Sequence, residues 1–277
     1  MNIVFVHDGG EQVASYRYRC LIPGQELEKH GHTVTYNEGD AHICVFSKPK
    51  EVDIQVAQGA KANGCAIVVD IGDDHLGHPQ LGPIYDKMLK IADRVVCPTP
   101  NMAYRLSEHT EVPVKIIPDP YEMEEMEPHA DGASLVWFGH QVNLKDMEPY
   151  FNLPNLRIVT GPQTIEGTTF WSMENQRRAM REANIVLLPT RPGVGFKSPN
   201  RLVNSLRMGL FPVCDEHLAY RCFRDFVWTN GVVMGLRWAA EFRNDLNDLV
   251  REGQNYIRDE YSPERIGEQW AKFIESI

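Results

Sequence analysis

Residues 191–213, RPGVGFKSPNRLVNSLRMGLFPV, begin as a glycine-rich loop, turn into a short basic helix and end in a strand-like run. Gly193 and Gly195 allow tight backbone, Lys197 supplies a cation, and SPNR (198–201) opens a helix whose free amides point back toward the loop. A helix start flanked by Lys197 and Arg201 suits a diphosphate, because amides and cations together neutralise its charge without a metal. The competing reading is a plain loop and helix cap with solvated basic residues. This is not a P-loop, since the spacing G-x-x-x-x-G-K-[ST] is absent.

Outward from this stretch the chain alternates short apolar runs with helix-like segments. Runs at 2–7, 32–36, 42–47, 65–72, 94–99 and 114–119 predict strands, with helices around 15–30, 49–62, 82–92 and 100–108. That is the rhythm of a doubly wound parallel sheet. PDPYEMEEMEPHADG (118–132) has neither period and predicts a linker, its EMEEME acids a solvated run. Strands then restart at 134–139, 156–161, 184–190 and 210–215, with helices near 143–151, 171–183 and 199–208. SPERIGEQWAKFIESI (262–277) reads as a docked terminal helix, with Ser262 as N-cap and Ile266, Trp270, Phe273 and Ile274 on one face. The expected fold class is α/β, two Rossmann-like domains facing across a cleft: residues 1–120, then 121–261, with 262–277 docking back on the first.

Composition sets the outer limits. A chain of 277 residues, 43% hydrophobic and 24% charged, is that of an ordinary folded globular protein. No apolar run approaches a membrane span and the N-terminus lacks a signal-peptide pattern, so a cytoplasmic location is expected. Six cysteines without a CxxC pair predict free thiols packed as small hydrophobes. A net charge of -10 disfavours generic nucleic-acid binding. The five tryptophans are expected in cores or seams.

In open parallel sheets, ligands bind beyond the carboxyl ends of the strands, so chemistry belongs in the strand-to-helix loops. Besides 191–201, two such loops carry unusual residues: HDGGEQVASYRYR (7–19), with His7, Asp8, Gly9 and Gly10, and DIGDDHLGH (70–78), with Asp70, Asp73, Asp74 and His75. The second is the best candidate for a side-chain base or a substrate-positioning carboxylate, with an Asp-rich turn as the alternative. Clustered Asp oxygens also suit Mg²⁺.

The order ADRVVCPTPNMAYRL, VPVKIIPDPYE, LVWFGHQVNLKDMEPY, ANIVLLPT and KSPNRLVNSLRMGLFPV resembles the retaining, glycosyltransferase family 4-like enzymes of the two-domain GT-B type. The resemblance implies transfer of a sugar from a nucleoside-diphosphate sugar to a hydroxyl acceptor, with retention and without metal or cofactor. It places Lys145 and a second basic residue, Lys197 or Arg201, on the donor diphosphate, and Gly9 and Gly10 near the donor from the first domain. Gly195, Ser198, Asn200 and Asn204 then line the nucleotide, and Asp74 and His75 of the acidic turn remain the best candidates to meet the reacting sugar. Asn204 stands where relatives carry a glutamate on the ribose, and Phe196 where they carry another.

The acceptor reads as a saccharide, a small molecule or a hydroxymethylated base in viral DNA. For DNA, Arg17, Arg19, Lys48 and Lys50 would form a local phosphate track, and the base would have to be flipped out. A non-catalytic nucleotide-sugar-binding module is the other alternative. An epimerase or dehydrogenase would want G-x-G-x-x-G after the first strand, which is missing.

Overall fold

The computed structural model describes residues 1–161, 165–191 and 196–277. The chain divides into two compact units: Met1–Pro120 with Phe196–Ser198 and Glu260–Ile277, and Tyr121–Gly195 with Pro199–Asp259.

The first unit holds six parallel strands, β1 (Asn2–Val6), β2 (Thr33–Tyr36), β3 (Ile43–Ser47), β4 (Ala66–Asp70), β5 (Arg94–Cys97) and β6 (Val114–Ile116). Their order is β2-β1-β3-β4-β5-β6. Every residue of β3 is buried, as expected for a parallel strand covered on both faces. Helices α1 (Ala14–Tyr16) and α2 (Ile22–Lys29) are joined without a break by a π-helical turn, Arg17–Leu21. Helices α3 (Glu51–Ala62), α4 (Gly82–Ile91) and α5 (Pro100–Ser107) connect the later strands. Thr99 caps α5 by accepting from the Met102 amide at 3.2 Å, and Pro100 starts it, as its fixed φ favours.

The second unit orders five parallel strands as β11-β10-β7-β8-β9. They are β7 (Leu135–His140), β8 (Leu156–Gly161), β9 (Thr169–Phe170), β10 (Ile185–Leu188) and β11 (Phe211–Cys214). Helices α6 (Met173–Arg181) and α7 (Asn200–Arg207) follow β9 and β10. Two helices that periodicity did not suggest, α8 (Val232–Glu241) and α9 (Leu246–Tyr261), come after β11. The helix expected at 143–151 is instead two 3-10 turns, Gln141–Asp146 and Glu148–Tyr150, the second opening around Pro149, which has no amide to donate. Gly209 ends α7 at φ 80°, and a Cβ there would meet the Glu127 carbonyl at 2.4 Å, so no other residue fits unstrained.

α10 (Pro263–Ile274) begins at a Ser262 cap and buries Ile266, Trp270, Phe273 and Ile274 in the first unit's core, as its one-sided pattern predicts. Trp270 meets Phe5 edge-on, with ring centroids 5.8 Å apart. The linker acids are solvent-exposed, as expected, but they are paired at the surface. Glu124 pairs with Arg181, Glu125 with both Arg207 and Arg258, and Glu127 with Arg251, which lays 121–127 along the helices of the second unit. All six cysteines are free, and Cys20, Cys44, Cys97 and Cys214 are buried. Among the described residues no helix is long and apolar enough to cross a membrane.

Candidate functional site

Each sheet has a point where the chain reverses its direction of travel across the strands, and the carboxyl ends there leave a crevice for a ligand. In the second unit it falls between β7 and β10. The 3-10 turn after β7 is capped by His140, whose Nδ1 accepts from the Val142 amide at 3.2 Å, and it carries Lys145 into solvent. Asp146, next in the chain, pairs with Arg191 just beyond β10, so the turn is tied across the reversal point.

Arg201, on the first turn of α7, reaches the same edge. Its Nη1 donates to the Phe138 carbonyl at 3.5 Å, and a Cβ on Gly139 would lie 3.4 Å from that nitrogen. The guanidinium also donates to the Tyr220 hydroxyl; burial pushes that phenol up to about 12 despite the cation beside it. A guanidinium has five N–H donors in a planar fork, so these two contacts fix its plane and leave donors over. α7 has no side-chain cap, and Ser198, two residues before it, has a buried Oγ with no hydrogen-bond partner.

Asn204 has its acceptor engaged by the chain itself. Its Oδ1 accepts from the Glu122 and Met123 amides at 3.0 and 3.1 Å, and its Nδ2 donates to the Asn200 carbonyl at 2.8 Å. It is 1% exposed. The oxygen expected to meet a ribose thus has both lone pairs taken, and the side chain ties the linker to α7. Gly193 and Gly195 lie outside the described residues.

The reversal point of the first unit falls between β1 and β3. His7 ends the β1 segment buried; its Nδ1 accepts from the Gly9 amide at 2.7 Å, which leaves the proton on Nε2 to donate to Ser15 Oγ at 3.0 Å. Burial and nearby Lys48 lower its pKa, so the ring is neutral. A Cβ on Gly9 would lie 2.9 Å from that ring and 2.8 Å from Val13, whereas Gly10 faces open space. Lys48 follows β3 with left-handed backbone, φ 52°, uncommon for a residue with a long side chain. Its ammonium is 2.9 Å from Asp73. Burial alone would raise the Asp73 carboxyl, but Lys48, helped by His75 and Lys197, holds it below the usual range.

Asp74 accepts from the Leu76 amide at 3.1 Å and pairs with Arg105 at 3.4 Å, so one carboxylate serves both the turn and an ion pair. His75 packs edge-on against Tyr85 at 5.6 Å, and burial lowers its pKa. Asp70 belongs to neither role. It is fully buried against Arg19, which also donates to the Ile117 carbonyl at 2.7 Å and to Asp119 at 3.0 Å. Among the described residues no group of three or more His, Cys, Asp or Glu side chains is arranged to hold a metal ion.

The proposed phosphate track does not form. Arg19 is 2% exposed in its ion triad, and Arg17 is buried and donates to the Glu11 carbonyl at 2.6 Å. Lys48 and Lys50 are paired with Asp73 and Asp8. Sequence reading missed Asp215, His217 and Tyr220 after β11. Asp215 accepts from the Thr190 amide at 3.0 Å and the Val232 amide at 3.2 Å; His217 lies 4.8 Å from the Tyr220 ring. Their signal was the same as for the other loops, a polar cluster directly beyond a strand's carboxyl end.

No protein-family model matches the sequence, and no curated protein is similar to it. Among solved structures, HepE of Anabaena, in complex with UDP, superposes with a TM-score of 0.67 at 12% identity, covering 100% of both chains. The chain has the GT-B fold. An alpha1,3-fucosyltransferase shares this GT-B architecture at a TM-score of 0.61 and 8% identity, over 99% of this chain and 90% of that one. So does the UDP-GlcNAc 2-epimerase of Neisseria meningitidis, bound to UDP-GlcNAc, at 0.52 and 10%, over 100% and 99%. A GT-B scaffold therefore carries more than one reaction, and the residues on it decide which.

Proposed function

We propose that the chain is a glycosyltransferase that moves a sugar from a nucleoside-diphosphate sugar, a uridine nucleotide by analogy with the HepE and epimerase complexes, to a hydroxyl acceptor. The observation that carries this reading is the fixed Arg201 guanidinium under the β7 edge, with exposed Lys145 on the turn after the same strand and an uncapped helix start. As the glycosidic bond to the leaving phosphate breaks, positive charge grows on the sugar and negative charge on the diphosphate. Cations already held in place stabilise that state more than the ground state, because they need not reorganise. This division of labour supports transfer without a required metal, with Lys145 and Arg201 on the diphosphate.

On the first unit Lys48 and Lys50 are already paired and His7 and His75 are neutral. Neutral imidazoles beside a Lys48–Asp73 pair offer donors and acceptors to hydroxyl groups without net attraction for a polyanion, which favours a saccharide or another uncharged polyol over DNA. Retention at the anomeric carbon follows from the resemblance to the retaining branch.

The test is NMR of the first-formed product from UDP-sugar donors of known anomeric configuration, with chelator present. A retained product is expected. Inversion would remove the retaining assignment, activity restored only by Mg²⁺ would make Asp73 or Asp74 metal ligands, and donor isomerised at C2 without transfer would favour the epimerase reading that the third neighbour raises.

A further inference from the structure

At the opposite, amino edge of the second sheet lies a cavity of about 190 Å³. Its floor is apolar: Leu135 and Ile185, the first residues of β7 and β10, with Leu153 and Pro154 from the turn before β8. One wall is a face of α8. Leu236, Ala239 and Ala240 recur at helical spacing, and Arg243 continues the same stripe past the helix end. The space exists because two alanines stand where leucines would fill it.

Two polar side chains line this cavity, Arg243 and Asn155, and neither side chain has a hydrogen bond or ion pair among the described residues. Asn155 is held in left-handed backbone, φ 59°, and its own carbonyl accepts from the Leu135 amide at 2.9 Å, so the turn that presents its amide is fixed by the sheet. Most exposed arginines of this unit have a carboxylate partner, among them Arg157, Arg181, Arg251 and Arg258.

We infer that this cavity is a binding site for a small carboxylate with an apolar body. The guanidinium fork matches a carboxylate in bidentate fashion, the Asn155 amide adds a donor, and the apolar floor takes the remainder. Drug-sized ligands fill roughly 300–1,000 Å³, so this one accepts a body no larger than a phenyl ring or a short alkyl chain. Leu135, Ile185 and Ala239 are buried, so the floor is formed before the ligand arrives, while Arg243 and Asn155 stand at its exposed rim. It is separate from the β7 carboxyl edge and does not depend on the transferase reading.

Benzoate and hexanoate are the probes, with benzyl alcohol and hexanol as uncharged controls, titrated into the full chain and followed by ¹H–¹⁵N NMR. Saturable shifts confined to amides around 132–135, 153–156 and 236–243 are expected, with Kd of about a millimolar for ligands this small. Arg243→Gln should weaken benzoate about tenfold without changing benzyl alcohol. Ala240→Leu, at an exposed position that preserves folding, should abolish both. Absence of saturable shifts there, equal binding of acid and alcohol, or Arg243→Gln binding benzoate like the parent would overturn the site.

Discussion

Arg19 lies along the carboxylate of Asp70, its Nε 3.1 and 3.0 Å from the two oxygens and its Nη2 2.5 Å from the first. Asp119 takes Nη1, so one buried cation answers two buried carboxylates 49 positions apart in the sequence. Removing one partner of a buried pair costs about 3–5 kcal/mol, because the other charge is left uncompensated. Arg19→Ala is therefore expected to lower the urea midpoint sharply with an unchanged slope. Arg19→Ala with no loss of stability would show that water already compensates the two carboxylates.

Nucleotide affinity should depend on two cations of the second unit. A hydrogen bond to a charged group contributes about 1.5–3 kcal/mol, so Lys145→Ala and Arg201→Gln are each expected to weaken UDP binding roughly tenfold or more by calorimetry. Unchanged affinity in both would place the diphosphate elsewhere.

Asn204→Ala should act on stability and not on binding. It orphans the Glu122 and Met123 amides, at about 1–3 kcal/mol for each buried unpaired group. Asn204→Asp keeps the accepting oxygen and should recover part of that loss. A UDP affinity altered tenfold in the folded Asn204→Ala protein would instead put this side chain on the nucleotide.

His7 and His75 are both lowered below their ordinary value of 6.5 by burial. Above that value both states are neutral and the stability contribution is complete; as pH falls below it the unfolded chain takes up protons first, and stability is lost. Thermal scans between pH 7 and 5 should show a falling midpoint, flattened in His7→Gln. An equal slope in that variant would exclude His7 as a source.

Every strand but the short, partly exposed edge strand β9 was legible in the sequence, because buried parallel strands are continuous apolar runs bounded by loops, as IVVD and IVLL show. α10 was legible for the complementary reason, a one-sided stripe behind a Ser-Pro start. α8 was not: its Val233 and Met234 are exposed while Gly235 is buried, so the pattern has no clear polar face. The polar residues were harder. Arg17 and Arg19 look like a basic pair on a helix, and only Asp70 and Asp119, 51 and 100 positions away, turn Arg19 into a buried ion. The exposure of EMEEME was legible, but its surface pairing was not, since the partner arginines come from α6, α7 and α9.

α10 completes a core begun by β1, and that has a consequence for synthesis. As the chain leaves the ribosome, β1 to β6 emerge first but lack the Ile266, Trp270, Phe273 and Ile274 side chains that close their sheet face, each contributing about 1.5–3 kcal/mol when buried. Tyr121–Asp259, apart from a short excursion at 196–198, is a nearly continuous stretch with its own core. Domains are generally expected to fold in the order they are made. Here the unit that is translated first should be the one that matures last, and a nascent chain stalled with residues 1–259 clear of the exit tunnel should display a protease-resistant second unit beside a first unit that is still being cut.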